Sequence, residues 1–200
     1  MVPNHPAQLL TDIDNCNLAN VTWVIPTAAE SDHAMLNDGT GPQWVASIVN
    51  EVGNNPTCAD GEKYWDDTVI LITWDDWGGW YDHVQPFDIT QPGAWGAGYT
   101  YGFRVPLLVV SAFTPAGTVS NDVHDFGTLV RFAENNFGLG FIGPADSILT
   151  QYADYQAASR PGLAGFFTLA APRPFVTIPT SLKATDFIRA PKSSAPPDND

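Results

Sequence analysis

Apolar residues along this chain come in short, separate runs, set apart by seventeen glycines and seventeen prolines. Three runs read as buried strands: Val21–Ile25 (VTWVI), Thr68–Trp74 (TVILITW) and Val105–Ser111 (VPLLVVS). The second and third are β-branched and almost unbroken, where a strand with one wet face would alternate. That is the pattern of parallel strands covered on both faces. Pro106 falls near the start of its run, where a missing N–H does least harm to a ladder. Two other stretches place apolar residues three and four apart. Gly41–Val52 brings Trp44, Val45, Ile48, Val49 and Val52 to one face, with Pro42 in the first turn. Asp125–Asn136 does the same with Phe126, Leu129, Val130, Phe132 and Ala133, before a stop at Gly138. Strand, helix, strand, loop, strand, helix is the order of an α/β fold, and the expectation is a mostly parallel sheet covered by helices. The loop, Gln85–Tyr101, is long, irregular and rich in Gly and aromatics, and loops of that length within a domain usually carry function.

Composition narrows the chemistry. The 200 residues hold 22 acidic and 8 basic side chains, a net charge of −14 with His neutral. Only 15% of residues are charged, and eleven Phe, seven Trp and six Tyr set the chain apart from an acidic disordered segment. The few Lys and Arg are scattered rather than clustered, which argues against nucleic acid as a partner and against a basic membrane-surface helix. No apolar run approaches the roughly 18–20 residues of a transmembrane helix. The start, Met1-Val2-Pro3-Asn4-His5-Pro6, lacks the cationic-then-apolar order of a secretory signal peptide. Cys16 and Cys58 would pair in an oxidising compartment and remain thiols otherwise; two cysteines leave that open.

The densest cluster of reactive side chains is Thr73-Trp74-Asp75-Asp76-Trp77-Gly78-Gly79-Trp80-Tyr81-Asp82-His83-Val84, which begins where the second strand ends. Ligand sites in open α/β sheets lie beyond the carboxyl ends of strands. Two successive carboxylates repel one another, and a hard divalent cation removes that cost through carboxylate oxygens. Gly78-Gly79 permits a tight turn, after which Asp82 and His83 return an acid and an imidazole to the same neighbourhood. The competing reading is a solvated acidic turn with Asp75 as a helix cap. A second cluster, Glu30-Ser31-Asp32-His33, comes after the first strand; alone it is more simply a polar loop. Asp125 is expected to cap its helix rather than act with His124. Arg104 is expected in a structural ion pair, and Trp74, Trp77 and Trp80 in core packing rather than sugar stacking.

These segments carry a resemblance. Val21-Thr22-Trp23-Val24-Ile25-Pro26 with Ser31-Asp32-His33, the Gly41–Asn50 stretch, Trp74–Val84, Gly102-Phe103-Arg104-Val105-Pro106, the Phe126–Leu139 helix and Pro172-Arg173-Pro174-Phe175 resemble the C-terminal half of a bacterial phosphoesterase family. That family includes phospholipases C and an acid phosphatase group. The similarity extends from Leu18 to Ile178, and Asp-Asp-Trp-Gly-Gly is its most specific part. It implies an alkaline-phosphatase-like fold, in which residues 18–180 form the C-terminal part of a phosphoesterase domain. A mobile segment, 1–17, and a Pro/Ser-rich tail, 181–200, would flank it. It also implies hydrolysis of phosphoric esters, with a phosphate ester or phospholipid head group as substrate, a bound divalent metal ion and a hydroxyl nucleophile. Asp75 and Asp76 would then be metal ligands, and His33 and His83 would contact the phosphoryl group or the metal. The family's Glu-Asn-x-Ser-Phe motif and its Ser or Thr nucleophile have no counterpart here; Glu134-Asn135-Asn136-Phe137 lies in a predicted helix and is a different element. The expectation is therefore a truncated enzyme holding about half of a site, with Ser31 and Thr73 as the hydroxyls at hand. The alternative is a non-catalytic metal- or carbohydrate-binding fragment built on the acidic turn and the Trp loop.

Overall fold

Helix α2 (Gly41–Asn54) forms where the apolar spacing and the first-turn proline predict it, and it buries Trp44, Val49 and Val52. The computed structural model describes residues 6–55, 58–86, 100–140 and 162–189. In chain order, α1 (Pro6–Asp14), α2, the short α3 (Tyr64–Asp67), β1 (Val69–Thr73), β2 (Leu107–Ser111), α4 (Phe126–Phe137), a 3-10 turn (Leu163–Phe166) and α5 (Ala184–Arg189) make a mixed α/β fold. Contacts divide the chain into two compact units, residues 1–70 with 172–200 and residues 71–171.

The first unit is a helical cluster. Leu9, Leu10 and Ile13 of α1 pack with Val52 of α2 and Ala184 of α5, and Leu18, Ile48, Tyr64 and Ile70 lie against them. Residues from both ends of the chain contribute to it. Within the segment expected to be mobile, α1 brings Leu9, Leu10 and Ile13 to one helical face, with Ile13 among the most buried side chains. Within the expected tail, α5 seals the same core through Ala184, while residues 190–200 lie outside the described residues. A disulfide, Cys16–Cys58, ties the segment after α1 to the turn before α3. Tyr64 accepts the Leu18 amide N–H through its hydroxyl at 2.8 Å. Trp65 donates its indole N–H to the Arg173 carbonyl at 2.7 Å and packs edge-on against Phe175. Asn50 pairs through both amide atoms with the backbone of Ile178, at 2.8 and 3.0 Å, so its side chain imitates a strand neighbour.

β2 and the end of β1, from Leu71, belong to the second unit. β1 and β2 are paired as a two-stranded antiparallel ribbon, and the Thr73 hydroxyl at the end of β1 reaches the Pro106 carbonyl just ahead of β2 at 3.0 Å. The unbroken apolar runs predicted parallel strands, and a parallel pair is not what the described residues show. Their faces also differ from expectation: every β1 residue is only partly buried, and Leu108 in β2 is exposed. The third expected strand, Val21–Ile25, joins no ladder among the described residues. Trp23 and Ile25 are 68% and 69% exposed. β-propensity makes a strand only where a neighbour takes up its N–H and C=O groups, and none does so here among the described residues.

Helix α4 obeys its sequence signals closely. Asp125 caps it by accepting the Gly127 N–H at 2.9 Å, and Gly138 closes it in the left-handed conformation. Its buried positions are nevertheless the polar Thr128 and Glu134, whereas Phe126 and Phe137 are exposed. Phe132 stacks on Phe167, and the Leu169 N–H donates to the Phe113 carbonyl at 3.1 Å beside buried Ser111 and Ala112.

Candidate functional site

β1 delivers Asp75 and Asp76 to the surface two residues beyond its end, and both are exposed. An Asx turn shapes the next four residues: Asp76 accepts the Gly78 N–H through Oδ1, and the Trp80 N–H donates to the Trp77 carbonyl at 3.0 Å. Gly78 and Gly79 both have positive φ, 61° and 75°, a pair of conformations that side chains with a Cβ adopt only at a cost. The turn thus presents two adjacent carboxylates and commits one oxygen of Asp76 to its own backbone.

The chain then comes back through Tyr81, Asp82 and His83. Arg104, just ahead of β2, grips Asp82 with two donors: Nε to Oδ2 at 2.6 Å and Nη2 to Oδ1 at 3.0 Å. The same Oδ1 accepts the His83 N–H at 2.8 Å. These hydrogen bonds, Arg104 foremost, hold the Asp82 carboxyl well below the usual carboxylate range. Arg104 is therefore in the ion pair expected of it. Phe103 meets Trp77 and Tyr81 edge-on at ring separations of 5.3 and 5.6 Å, and Tyr81 in turn meets the His83 ring at 6.0 Å. Core packing was the expectation for Trp74, Trp77 and Trp80, yet Trp77 and Trp80 are exposed, at 41% and 65%, with Tyr81 beside them at 79%. Phe103 holds Trp77 at its edge and leaves the rest of the aromatic lip in solvent. Most of the long loop after this turn, residues 87–99, lies outside the described residues.

His33 belongs to the first unit, whereas Asp75, Asp76 and His83 belong to the second. Its loop is a chain of tight turns leading into α2. Ser31 donates its hydroxyl to the Ala28 carbonyl at 3.0 Å and accepts the His33 N–H at 3.2 Å. The His33 ring meets the Ala34 carbonyl through Nδ1 at 2.8 Å, which places the proton of the neutral ring on that nitrogen. Asp32 and Met35 take positive φ on either side. Nearer α2, Asp38 accepts both the hydroxyl and the amide of Thr40, at 2.6 and 2.9 Å, and these bonds lower its pKa.

Among the described residues no group of three or more His, Cys, Asp and Glu gathers as a metal cage. Asp75 and Asp76 supply the hard oxygen donors that a divalent cation prefers, but a pair of carboxylates is only part of the six to eight ligands that calcium, for example, takes. The two hydroxyls of interest are both donating to carbonyls, Ser31 to Ala28 and Thr73 to Pro106. What the sequence did not reveal is the pairing of Arg104 with Asp82; its one signal is that a cation is rare in a chain with so many acids.

A model of the Phosphoesterase family matches residues 1–140. Phospholipase C A of Mycobacterium tuberculosis is 24% identical over 157 residues, covering 70% of this chain and 29% of that protein. The non-hemolytic phospholipase C of Burkholderia pseudomallei is 29% identical over 148 residues, 64% of this chain and 20% of that protein. The hemolytic phospholipase C of Pseudomonas aeruginosa is 26% identical over 147 residues, 66% of this chain and 19% of that protein. The chain thus spans between 19% and 29% of the length of these relatives.

Proposed function

The chain belongs to the Phosphoesterase family, and from that membership we propose that it contributes part of the site of a phosphoric ester hydrolase of the phospholipase C type. The observation that carries the reading is the turn beyond β1. It presents two exposed, adjacent carboxylates, with a histidine returned to the same loop by a bidentate ion pair. Asp75 and Asp76 would hold a divalent metal ion, which when bound neutralises charge on the phosphoryl oxygens and favours an ionised hydroxyl. His83 would donate a hydrogen bond to a phosphoryl oxygen as its charge grows. The remaining ligands and the nucleophile would come from groups outside the described residues. In the complete enzyme β1 and β2 would belong to a larger, mostly parallel, helix-covered sheet of the alkaline-phosphatase type. Their partial burial supports that reading, because strands apolar on both faces gain most when both faces are covered. A phosphate ester or phospholipid head group is the proposed substrate.

The test is metal-dependent binding and hydrolysis. Calorimetry with Mn2+ should give a weak isotherm for the wild type and none for Asp75→Asn/Asp76→Asn. Equal heats from the two proteins would overturn the metal assignment. A second reading, a carbohydrate-binding role, is favoured by the exposure of Trp80 and Tyr81, whose faces suit sugar rings. Quenching of Trp fluorescence by oligosaccharides, lost in Trp80→Ala, would select it.

A further inference from the structure

The Asp82 carboxylate is a junction rather than one end of a simple surface pair. Its two oxygens take both donors of the Arg104 fork, and Oδ1 also accepts the backbone N–H of His83. The Arg104 side chain is 58% exposed, but that of Asp82 is only 17% exposed. A single-point contact between exposed ions fixes little, whereas a two-donor fork fixes the plane of the carboxylate as well as its distance. Next to Arg104, Phe103 packs edge-on against Tyr81, and Tyr81 packs against the His83 ring. Two consecutive residues ahead of β2, Phe103 and Arg104, therefore hold Tyr81 and Asp82 through one ring contact and one ion pair, and His83 is tied to those two by an amide hydrogen bond and a second ring contact.

We propose that Arg104 is a positioning residue that acts through Asp82 to fix the His83 imidazole relative to the Asp75–Asp76 turn. The inference rests on the reading of His83 as a site residue for its purpose, but not for its geometry. Without the fork, Asp82 loses the partner that orients it, and the His83 amide, next to the Cα that carries the imidazole, loses a fixed acceptor. Lys at position 104 would keep the charge and lose the second donor. Groups that orient a site residue in this way commonly carry a tenfold to hundredfold share of affinity or activity, by an order-of-magnitude estimate.

The experiment is NMR of the histidine Cε1–Hε1 signals of the whole chain, with His83 assigned by His83→Gln. Arg104→Ala and Asp82→Asn should each move the His83 signal to its random-coil position. The His33 and His124 signals should stay in place and so report that the variants are folded. Arg104→Lys should shift His83 in the same direction, and it serves as the reading where Arg104→Ala does not fold. In the wild type, added Mn2+ should broaden His83, and the Arg104 variants should need about tenfold more Mn2+ or more for equal broadening. A His83 signal unmoved in folded Arg104 and Asp82 variants overturns the proposal. If Mn2+ broadens no histidine while His83 still moves in the variants, the metal reading fails and the positioning role stands.

Discussion

Phe175 lies so close over Gly53 that a β-carbon at that position would collide with its ring. Gly53 sits within α2, where Ala is normally favoured over Gly by about 1 kcal/mol. Here the sign reverses. The Phe175 ring is held edge-on by Trp65, and Trp65 is in turn tied to the Arg173 carbonyl, so the ring has little room to retreat. Overpacking of this kind costs about 1–3 kcal/mol. Gly53→Ala should therefore lower the urea midpoint with an unchanged slope. A raised midpoint would show that Phe175 moves aside freely.

The Cys16–Cys58 bridge closes a loop of 42 positions that contains α2. Restricting the unfolded chain over a loop of that size is worth about 3–4 kcal/mol in the chain-entropy picture. Cys16→Ser/Cys58→Ser, or the wild type in excess reductant, should lose stability on that scale. The urea transition with and without reductant measures it, and the double variant should be insensitive to reductant.

Elements with their own local signals were legible in the sequence. α2 had a proline in its first turn and an unambiguous apolar face; α4 had Asp125 to open it and Gly138 to close it. β1 and β2 were found within two residues of each end, and that placed Asp75 and Asp76 correctly beyond a strand. Partnership was not legible. The direction of the β1–β2 pairing and the grip of Arg104 on Asp82 are both settled by residues distant in the chain. α1 falls within the segment expected to be mobile, and the shared face of Leu9, Leu10 and Ile13 was not read as a helix. Exposure of Trp80 was hidden for a different reason: an aromatic residue in a sequence reads as core until the surface it faces is known.

Two carboxyls give opposite signs to the pH dependence of stability. Asp82 has its pKa lowered in the folded state, first by Arg104. Its contribution is complete above the ordinary carboxylate range and is lost as the pH falls through the folded value. Glu51 has its pKa raised, by burial and then by the neighbouring charge of Asp14. The folded state holds that proton more tightly, so stability falls as the pH rises through the interval between the unfolded and folded values, and the deficit persists above it. Asp82→Asn should flatten the loss of melting temperature below about pH 4, the ordinary range for Asp. Glu51→Gln should raise the melting temperature at pH 7 and leave it unchanged in acid. Parallel wild-type and variant curves in both ranges would contradict these assignments.

Hydrolysis by this chain on its own should be close to background, for a reason visible in two hydroxyls. A Ser or Thr becomes a nucleophile when a base takes its proton or a metal ion lowers its pKa. Ser31, beside His33, instead donates to the Ala28 carbonyl, and Thr73, at the end of β1 before the two acids, donates to the Pro106 carbonyl. A carbonyl oxygen holds a hydroxyl proton but does not remove it at neutral pH. Ser31 also accepts the His33 amide through the same oxygen, which further fixes the hydroxyl within its turn. Lack of an activated nucleophile commonly costs several orders of magnitude, even where binding and charge stabilisation remain. With a chromogenic phosphodiester and added Mn2+ or Mg2+, the wild type, Ser31→Ala and Thr73→Val should give the same low rate. A robust rate that disappears in one of the two variants would identify that hydroxyl as the nucleophile and show that this chain carries a working site. A robust rate that survives both substitutions would place the nucleophile elsewhere among these residues.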